Sequence, residues 1–479
     1  MKNSIIMIPY IRFSLLVILT LSCFISSGQQ KGGRPNFVIV MTDDQGYGDV
    51  GYMGNEKVKT PHLDDMAQKG LRLDRFYTAP VCSPTRAAVI TGRYPVRTGV
   101  FSWGHVLRPQ EKSFVNLLKA AGYRTGFFGK WHIGSIASDK PTNPGAHGFD
   151  TWYAAANFYE NDPWMSKNGE PVQLKGESSE VTVSLALDYM EKVIQQDTPF
   201  IVFIWLGSPH LPHQATAELQ NLYPDETEKM KNYYGELTGI DRSIGTLRRW
   251  LKDRDIAGET LLWFSSDNGG KLPEADNGVL RGQKGTLWEG GIRVPALMEW
   301  PGKIRNTRSE VPVSMVDVFP TVLDLAGVAI PTHYPLDGVS LVPLIGGNMR
   351  QRPQPLGFWN YDRIKGYSMK SDQIIQDYQR VLKGELSADS LKEGLLNSPD
   401  RTYAGIDHFP YAGQAAWIDN EWKLYQEGET VELYHLKNDI SEKHNLAEKY
   451  PDKVKAMGKA LLNWQNSVIS SMRGEDYHK

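Results

Sequence analysis

The sequence predicts an α/β fold: a large mixed, mostly parallel sheet flanked by helices, then a small C-terminal antiparallel sheet plus helix. Three observations carry this. The short apolar runs at 36–41, 199–206 and 260–266 have the length and character of strands buried on both faces. Over residues 36–345 such runs alternate with amphipathic stretches of helical period. Proline and glycine then become frequent between Pro331 and Pro355, and beyond them lie short strand-like runs and a terminal helical stretch. The boundary is placed near 345–355, giving a main domain over 34–350 and a C-terminal subdomain over 351–479. No internal repeat is visible.

Residues 1–28 read as an export signal. Lys2 and Arg12 precede an apolar run at 13–25, which is short for a membrane span and suits a signal core. The expectation is a periplasmic or secreted protein. Thr20-Leu21-Ser22-Cys23 loosely resembles a bacterial lipoprotein cleavage box, which would make Cys23 a lipid anchor; cleavage near Ser27-Gly28 is the alternative, and simple export is preferred. The 479-residue chain is 41% hydrophobic and 23% charged, ordinary for a globular protein. Removing Lys2 and Arg12 with the signal takes the formal net charge from -2 to -4, which gives no support for nucleic acid as a partner.

In chain order, the strand at 36–41 ends in Thr42-Asp43-Asp44-Gln45-Gly46. Adjacent acids at the end of a buried strand are costly unless a cation neutralises them, and ligands of α/β sheets collect at strand C-termini. A helix follows at 60–69, with Thr60 as cap, Pro61 in its first turn and Gly70 at its end. Residues 71–77 alternate like one strand. A helix from about Pro84 to Thr91 starts just after Cys82, so Cys82 would sit at a helix N-terminus suited to anions. A helix at 113–121 and a strand at 123–128 lead into Gly129-Lys130-Trp131-His132. Residues 145–150 and 152–164 read as a loop region whose aromatics either stack on sugar rings or form a packed lid. A helix at 178–195 precedes the strand at 199–206, which ends in Gly207-Ser208-Pro209-His210-Leu211-Pro212-His213. After a helix at 230–251, the strand at 260–266 ends in Asp267-Asn268, again oxygen side chains at a strand end. Four such oxygen donors suit Ca2+ or Mg2+ better than zinc. A helix follows within 311–325. The polar insert 370–399 reads as partly helical and carries no functional reading. Strands are expected at 415–419, 422–426 and 431–436, and a helix at 452–468.

Only two cysteines exist, and Cys23 lies in the signal. An exported chain would keep Cys82 as a lone thiol: paired between chains, reactive, modified, or simply a small buried hydrophobe. Pro84 and Arg86 stand two and four residues after it, and an apolar run leads to Thr91-Gly92-Arg93. This pattern resembles the signature of the type I sulfatase family, in the alkaline phosphatase superfamily. Gly122-Tyr123-Arg124-Thr125-Gly126-Phe127-Phe128-Gly129-Lys130-Trp131-His132 resembles the second signature of that family, departing at Phe128, where a smaller residue is usual. Thr60-Pro61-His62-Leu63-Asp64, Pro209-His210-Leu211-Pro212, the stretch from Leu280 through Lys284 to Pro295, and Ser314 to Thr321 also match family segments.

The resemblance implies an alkaline-phosphatase-like fold and an enzyme that hydrolyses sulfate esters. It implies that a maturation enzyme oxidises Cys82 to formylglycine (3-oxoalanine), whose hydrate attacks sulfur. Asp43, Asp44, Asp267 and Asn268, with the modified Cys82, would hold one Ca2+. Arg86 and Lys130 would stabilise the hydrate and the metal-bound oxygens, His132 would remove its second proton, and His210 and Lys284 would bind sulfate beside the bridging oxygen. Export and the aromatic loop point to a sulfated carbohydrate as substrate, with His213, His147, Trp103, His105 and Trp164 as further candidate contacts. The competing readings are a phosphodiesterase or phosphonate monoester hydrolase with the same nucleophile, and a non-catalytic binder of sulfated glycans.

Overall fold

Five adjacent parallel strands in one sheet, four of which carry the site, fix everything that follows. In the computed structural model, the described residues are 33–332, 336–360, 372–387, 390–391 and 413–478. The signal-like segment with Cys23, and much of the 370–399 insert, lie outside them. The strands up to the C-terminal region are β1 (Asn36–Thr42), β2 (Leu71–Leu73), β3 (Phe76–Tyr77), β4 (Arg124–Lys130), β5 (Thr151–Ala155), β6 (Trp164–Lys167), β7 (Glu170–Gln173), β8 (Phe200–Trp205), β9 (Thr260–Ser266), β10 (Arg293–Val294), β11 (Ala296–Glu299), β12 (Thr307–Ser309) and β13 (Val313–Ser314). Ten of them form a sheet in the order β12-β2-β11-β9-β1-β8-β4-β5-β6-β7. β1 pairs in parallel with β8 and β9, and β4 with β8 and β5. The flanks are mixed: β11 runs antiparallel to β9, and β6 to both β5 and β7. β3, β10 and β13 make a separate three-stranded sheet.

Both faces of the large sheet are covered, which is why its central strands read as unbroken apolar runs. Phe37, Ile39 and Met41 of β1 belong to one core cluster, and Val38 and Val40 to another. The first cluster receives Ala87–Ile90 of the helix Cys82–Thr91, and Leu461, Trp464 and Val468 of the helix Pro451–Met472. The second receives the helices Ser178–Ile194 and Glu228–Asp253. Phe128 is fully buried on that second face and lies against Tyr153 and Tyr189. Gly126 makes room for it: a Cβ there would come within 2.8–2.9 Å of the Tyr189 and Phe128 rings. The larger residue at 128 is therefore accommodated by its neighbours.

The C-terminal strands β14 (Leu356–Asn360), β15 (Gln414–Asp419), β16 (Trp422–Glu427) and β17 (Thr430–His435) form a fully antiparallel sheet. Arg34–Lys479 make one compact unit. Among the described residues no helix is long and apolar enough to cross a membrane.

Several local expectations are corrected. Residues 71–77 are two strands in two sheets, because the buried Asp74, paired with Arg72 and Arg308, marks the crossing between them. Thr60 does not cap its helix; its hydroxyl accepts from Gly51 N–H at 2.8 Å and donates to Asp64 at 3.2 Å. Residues 151–155 and 164–167 are strands, leaving 145–150 and 156–163 as loop. β14 has no counterpart in the sequence reading. In the insert, Asp372–Leu382 is helical.

Candidate active site

The site is built at the C-terminal edge of the four central parallel strands. Asp43 and Asp44 follow β1, Asp267 and Asn268 follow β9, Lys130 ends β4 with His132 two residues on, and His210 follows β8. Because these strands are adjacent and run the same way, one edge collects all their ends. The helix Cys82–Thr91 starts at the thiol itself, two residues earlier than expected, with Val81 as its extended N-cap. The N–H groups of its first turn (Pro84 has none) have no intrahelical partner, and such groups suit an anion. Asp44 and His132 take left-handed backbone conformations, φ 67° and 56°. Such conformations are uncommon for residues with a Cβ and concentrate where a side chain must be aimed.

The charged groups interlock. Arg86 donates to Asp267 Oδ2 at 2.7 Å and to the Lys130 carbonyl at 2.9 Å, and lies 3.7 Å from Asp43 Oδ1. Lys130 Nζ donates to Asp43 Oδ2 at 2.6 Å, and Lys284 Nζ to Asp44 at 2.6 Å. Asn268 Nδ2 donates to Asp44 Oδ1 at 2.8 Å, and the Asp44 N–H to Asp267 Oδ1 at 3.1 Å. Cys82 Sγ is 3.3 Å from His132 Nδ1. His210 stacks on Phe158 with centroids 4.7 Å apart, donates from Nδ1 to the Leu211 carbonyl, and brings Nε2 to 3.7 Å from Asp44. Asp43, Arg86, Lys130 and Asp267 are fully buried.

Burial dominates the electrostatics. It raises the Asp267 carboxyl to about 7, and the neighbouring Asp43 adds to this against Arg86. Burial would raise Asp43 too, but Lys130, His210, Arg86 and Lys284 hold it well below the carboxylate range. Burial pushes the Cys82 thiol up, more than Lys130 and Lys284 pull it down. An unmodified Cys82 is therefore a neutral thiol and a poor nucleophile. Burial, then Lys130 and Arg86, keep His132 far below the usual imidazole value, so it is a neutral base.

The donor set fits a hard divalent cation. Asp43 Oδ1 and Asn268 Oδ1 are buried oxygens with no hydrogen-bond partner. Asp43, Asp44 and His210 offer ligand atoms within 4.8 Å of one another, as do Asp43, Cys82 and Asp267. Orphaned buried oxygens among clustered carboxylates are costly as they stand, and a cation with oxygen ligands would satisfy them.

The fold already engages three of the candidate contacts. His147 is a core residue, 3% exposed, with its ring 5.5 Å from Trp131. His213 donates from Nδ1 to Glu236 at 3.1 Å and lies edge-on to Tyr233, tying its loop to the helix Glu228–Asp253. His105 is buried and accepts the Phe101 N–H at 3.2 Å. Trp103 is 49% exposed beside Gly104, whose N–H donates to Ser83 Oγ. Trp164 and Phe158 line a cavity of about 440 Å3.

Sequence reading passed over the residues that brace the site. Ser83 Oγ donates to the His132 carbonyl at 2.7 Å and so fixes that strained turn. Asp49 accepts from Gly46 N–H at 2.7 Å, Asp276 N–H at 2.9 Å and the Tyr233 hydroxyl, holding the loop after the Asp43-Asp44 pair. Ser83 had a signal, being the residue between Cys82 and Pro84; Asp49 had none beyond lying in a glycine-flanked turn.

The family model described as Sulfatase matches residues 35–328, and one described as N-sulphoglucosamine sulphohydrolase, C-terminal, matches 282–376. The chain is 32% identical over 427 residues to steryl-sulfatase of Rattus norvegicus, covering 67% of this chain and 72% of that protein. It is 31% identical over 341 residues to the ulvan-active sulfatase of Formosa agariphila, covering 66% of each. A solved structure of Ps i-CgsB in complex with k-i-k-neocarrahexaose superposes with a TM-score of 0.77 at 26% identity, over 90% of this chain and 93% of that one.

Proposed function

The chain belongs to the sulfatase family and is a sulfuric ester hydrolase, and from that premise we propose that it is an exported, Ca2+- and formylglycine-dependent sulfatase of sulfated carbohydrates. The observation that carries the mechanism is Cys82 at a helix start, 3.3 Å from His132 and among the ligand atoms of Asp43 and Asp267. Cys82 Sγ stands in for an oxygen on the same carbon, once a maturation enzyme has converted the thiol to formylglycine. The hydrated aldehyde supplies a hydroxyl nucleophile, and its second hydroxyl supplies a route for expelling sulfate. Asp43, Asp44, Asp267 and Asn268 would hold the Ca2+, which supplies Lewis-acid polarisation of a sulfate oxygen.

The chain's own groups do the rest. Arg86 is locked by Asp267 and the Lys130 carbonyl, so its charge is fixed before substrate arrives. His132 is neutral and takes a proton at Nδ1, which requires its hydrogen on Nε2. His210 donates from Nδ1 to Leu211, so its Nε2 must gain a proton to serve the departing alcohol; burial opposes this, and Asp43 and Asp44 favour it. Lys284 Nζ, also beside Asp44, adds positive charge where the leaving oxygen develops negative charge.

Support for a carbohydrate comes from two sides. The similar proteins include an ulvan-active sulfatase and a structure solved with a neocarrahexaose. Phe158 stacks on His210 and shares a cavity of about 440 Å3 with Trp164, a platform suited to a sugar ring. The test is sulfate release from a panel of defined sulfated saccharides beside aryl sulfates and phosphodiesters. Higher kcat/KM on one saccharide class is expected; a preference for phosphodiesters would replace this reading.

A further inference from the structure

A cavity of about 1100 Å3 opens between the outer edge of the large sheet and the turns of the C-terminal sheet. One bank is the edge strand β12 with its flanking residues 303–312; the other is formed by residues 344–351 and by the turns at 420–421 and 436–440. No residue placed in the active site lines it. Its chemistry is basic although the chain carries a net charge of -2. Lys303, Arg305 and Arg350 are exposed, and among the described residues none of them pairs with a carboxylate. Arg75 spends its guanidinium on the neutral carbonyls of Asn420 and Glu310. Of the three acids in the lining, Asp74 is held by Arg72 and Arg308, Glu421 by Lys437 at 3.2 Å, and the exposed Glu310 is outnumbered by Lys303, Arg305 and Arg350.

Basic residues on an edge strand also deter sheet-to-sheet association. That accounts for Arg308 of β12 but not for Lys303 and Arg305, which precede the strand, or for Arg350, which reaches the same cavity from another part of the fold. Cations converging from several elements on one groove concentrate an anionic chain there.

We infer that this groove is a second, non-catalytic binding site for a sulfated saccharide chain, holding the polymer while its ends or branches reach the carboxylate cluster. The inference rests on the glycan reading above for the identity of the polyanion. Exposed guanidinium and ammonium groups match sulfate esters spaced along a sugar backbone.

The test uses the full, Ca2+-loaded protein on immobilised dextran sulfate, with excess small aryl sulfate filling the active site. Wild type is expected to bind, more weakly as salt rises, and not to bind unsulfated dextran. The combined Lys303→Glu, Arg305→Glu and Arg350→Glu variant is expected to bind roughly tenfold more weakly or worse, since three attractions become repulsions. Its turnover of the aryl sulfate should stay within about twofold of wild type, because these residues lie outside the site. Equal binding by variant and wild type, or no binding by wild type, overturns the inference. Equally tight capture of double-stranded DNA overturns it in favour of a general polyanion surface. Binding without any sulfate release from the panel would instead sink the catalytic reading and leave the groove standing.

Discussion

Arg86 is the residue whose loss the site can least tolerate. It is fully buried and faces Asp267 at 2.7 Å and Asp43 at 3.7 Å. Replacing it with Met leaves clustered carboxylates with one fewer counter-charge, and removing one partner of a buried pair typically costs about 3–5 kcal/mol. Urea unfolding of Arg86→Met without divalent ions is expected to show a loss of that order; an unchanged midpoint would mean that the pair carries no stability. A second residue-scale expectation concerns acid. Burial lowers His147 from 6.5 to about 4, so the folded state resists a proton that the unfolded chain accepts. Between these values the unfolded state binds more protons, and stability falls as pH drops from 6.5 towards 4, by up to roughly 3 kcal/mol. His147→Phe is expected to flatten that part of a Tm-against-pH curve, and an unaltered slope would contradict the assignment. This histidine also shows a limit of sequence reading: in Gly145-Ala146-His147-Gly148 it resembles an exposed loop residue, and only the fold brings Trp131 onto it.

At the scale of elements, what could be read in advance was what the parallel sheet imposes. Strands covered on both faces are apolar throughout, so β1, β8 and β9 stood out, and the polar residues that follow them form the candidate site. β5, β6 and β7 were hidden because they are only four or five residues long and break up their apolar residues with Thr, Ser, Lys, Glu, Pro and Gln. β14 was hidden because its outer partners lie more than fifty residues away. That missed strand matters for the site. Asn360 Nδ2 donates to the Gly285 carbonyl at 3.1 Å, next to Lys284, and Lys423 of β16 is buried between Glu289 at 3.0 Å and Glu442 at 2.8 Å. The C-terminal sheet thus braces the loop that carries Lys284. Lys423→Met is expected to lower stability by about 3–5 kcal/mol, because two buried carboxylates lose their shared cation. It should also lower kcat, if the brace sets the position of Lys284. Wild-type kcat in a folded Lys423→Met protein would separate the brace from the catalysis.

For the whole molecule, the ends of β1 and β9 draw Asp43, Asp44 and Asp267 together, so the proposed cation would couple folding to ion binding. Asp43 Oδ1 and Asn268 Oδ1 are buried without a hydrogen-bond partner, and burial raises Asp267 to about 7 beside Asp43. A cation bound only by the folded state stabilises it by about 2.7 kcal/mol at a hundredfold excess over Kd. Chelation is therefore expected to lower Tm, and added Ca2+ to restore it in a dose-dependent way. A Tm indifferent to both would remove the ion from the account. The most direct measurement is sulfate release from a sulfated saccharide by folded, Ca2+-loaded protein whose aldehyde content at residue 82 has been fixed by mass spectrometry. The account predicts release in proportion to that content and none from Cys82→Ala. Release by the alanine variant, or silence from an aldehyde-bearing, ion-loaded preparation on every ester offered, would contradict it.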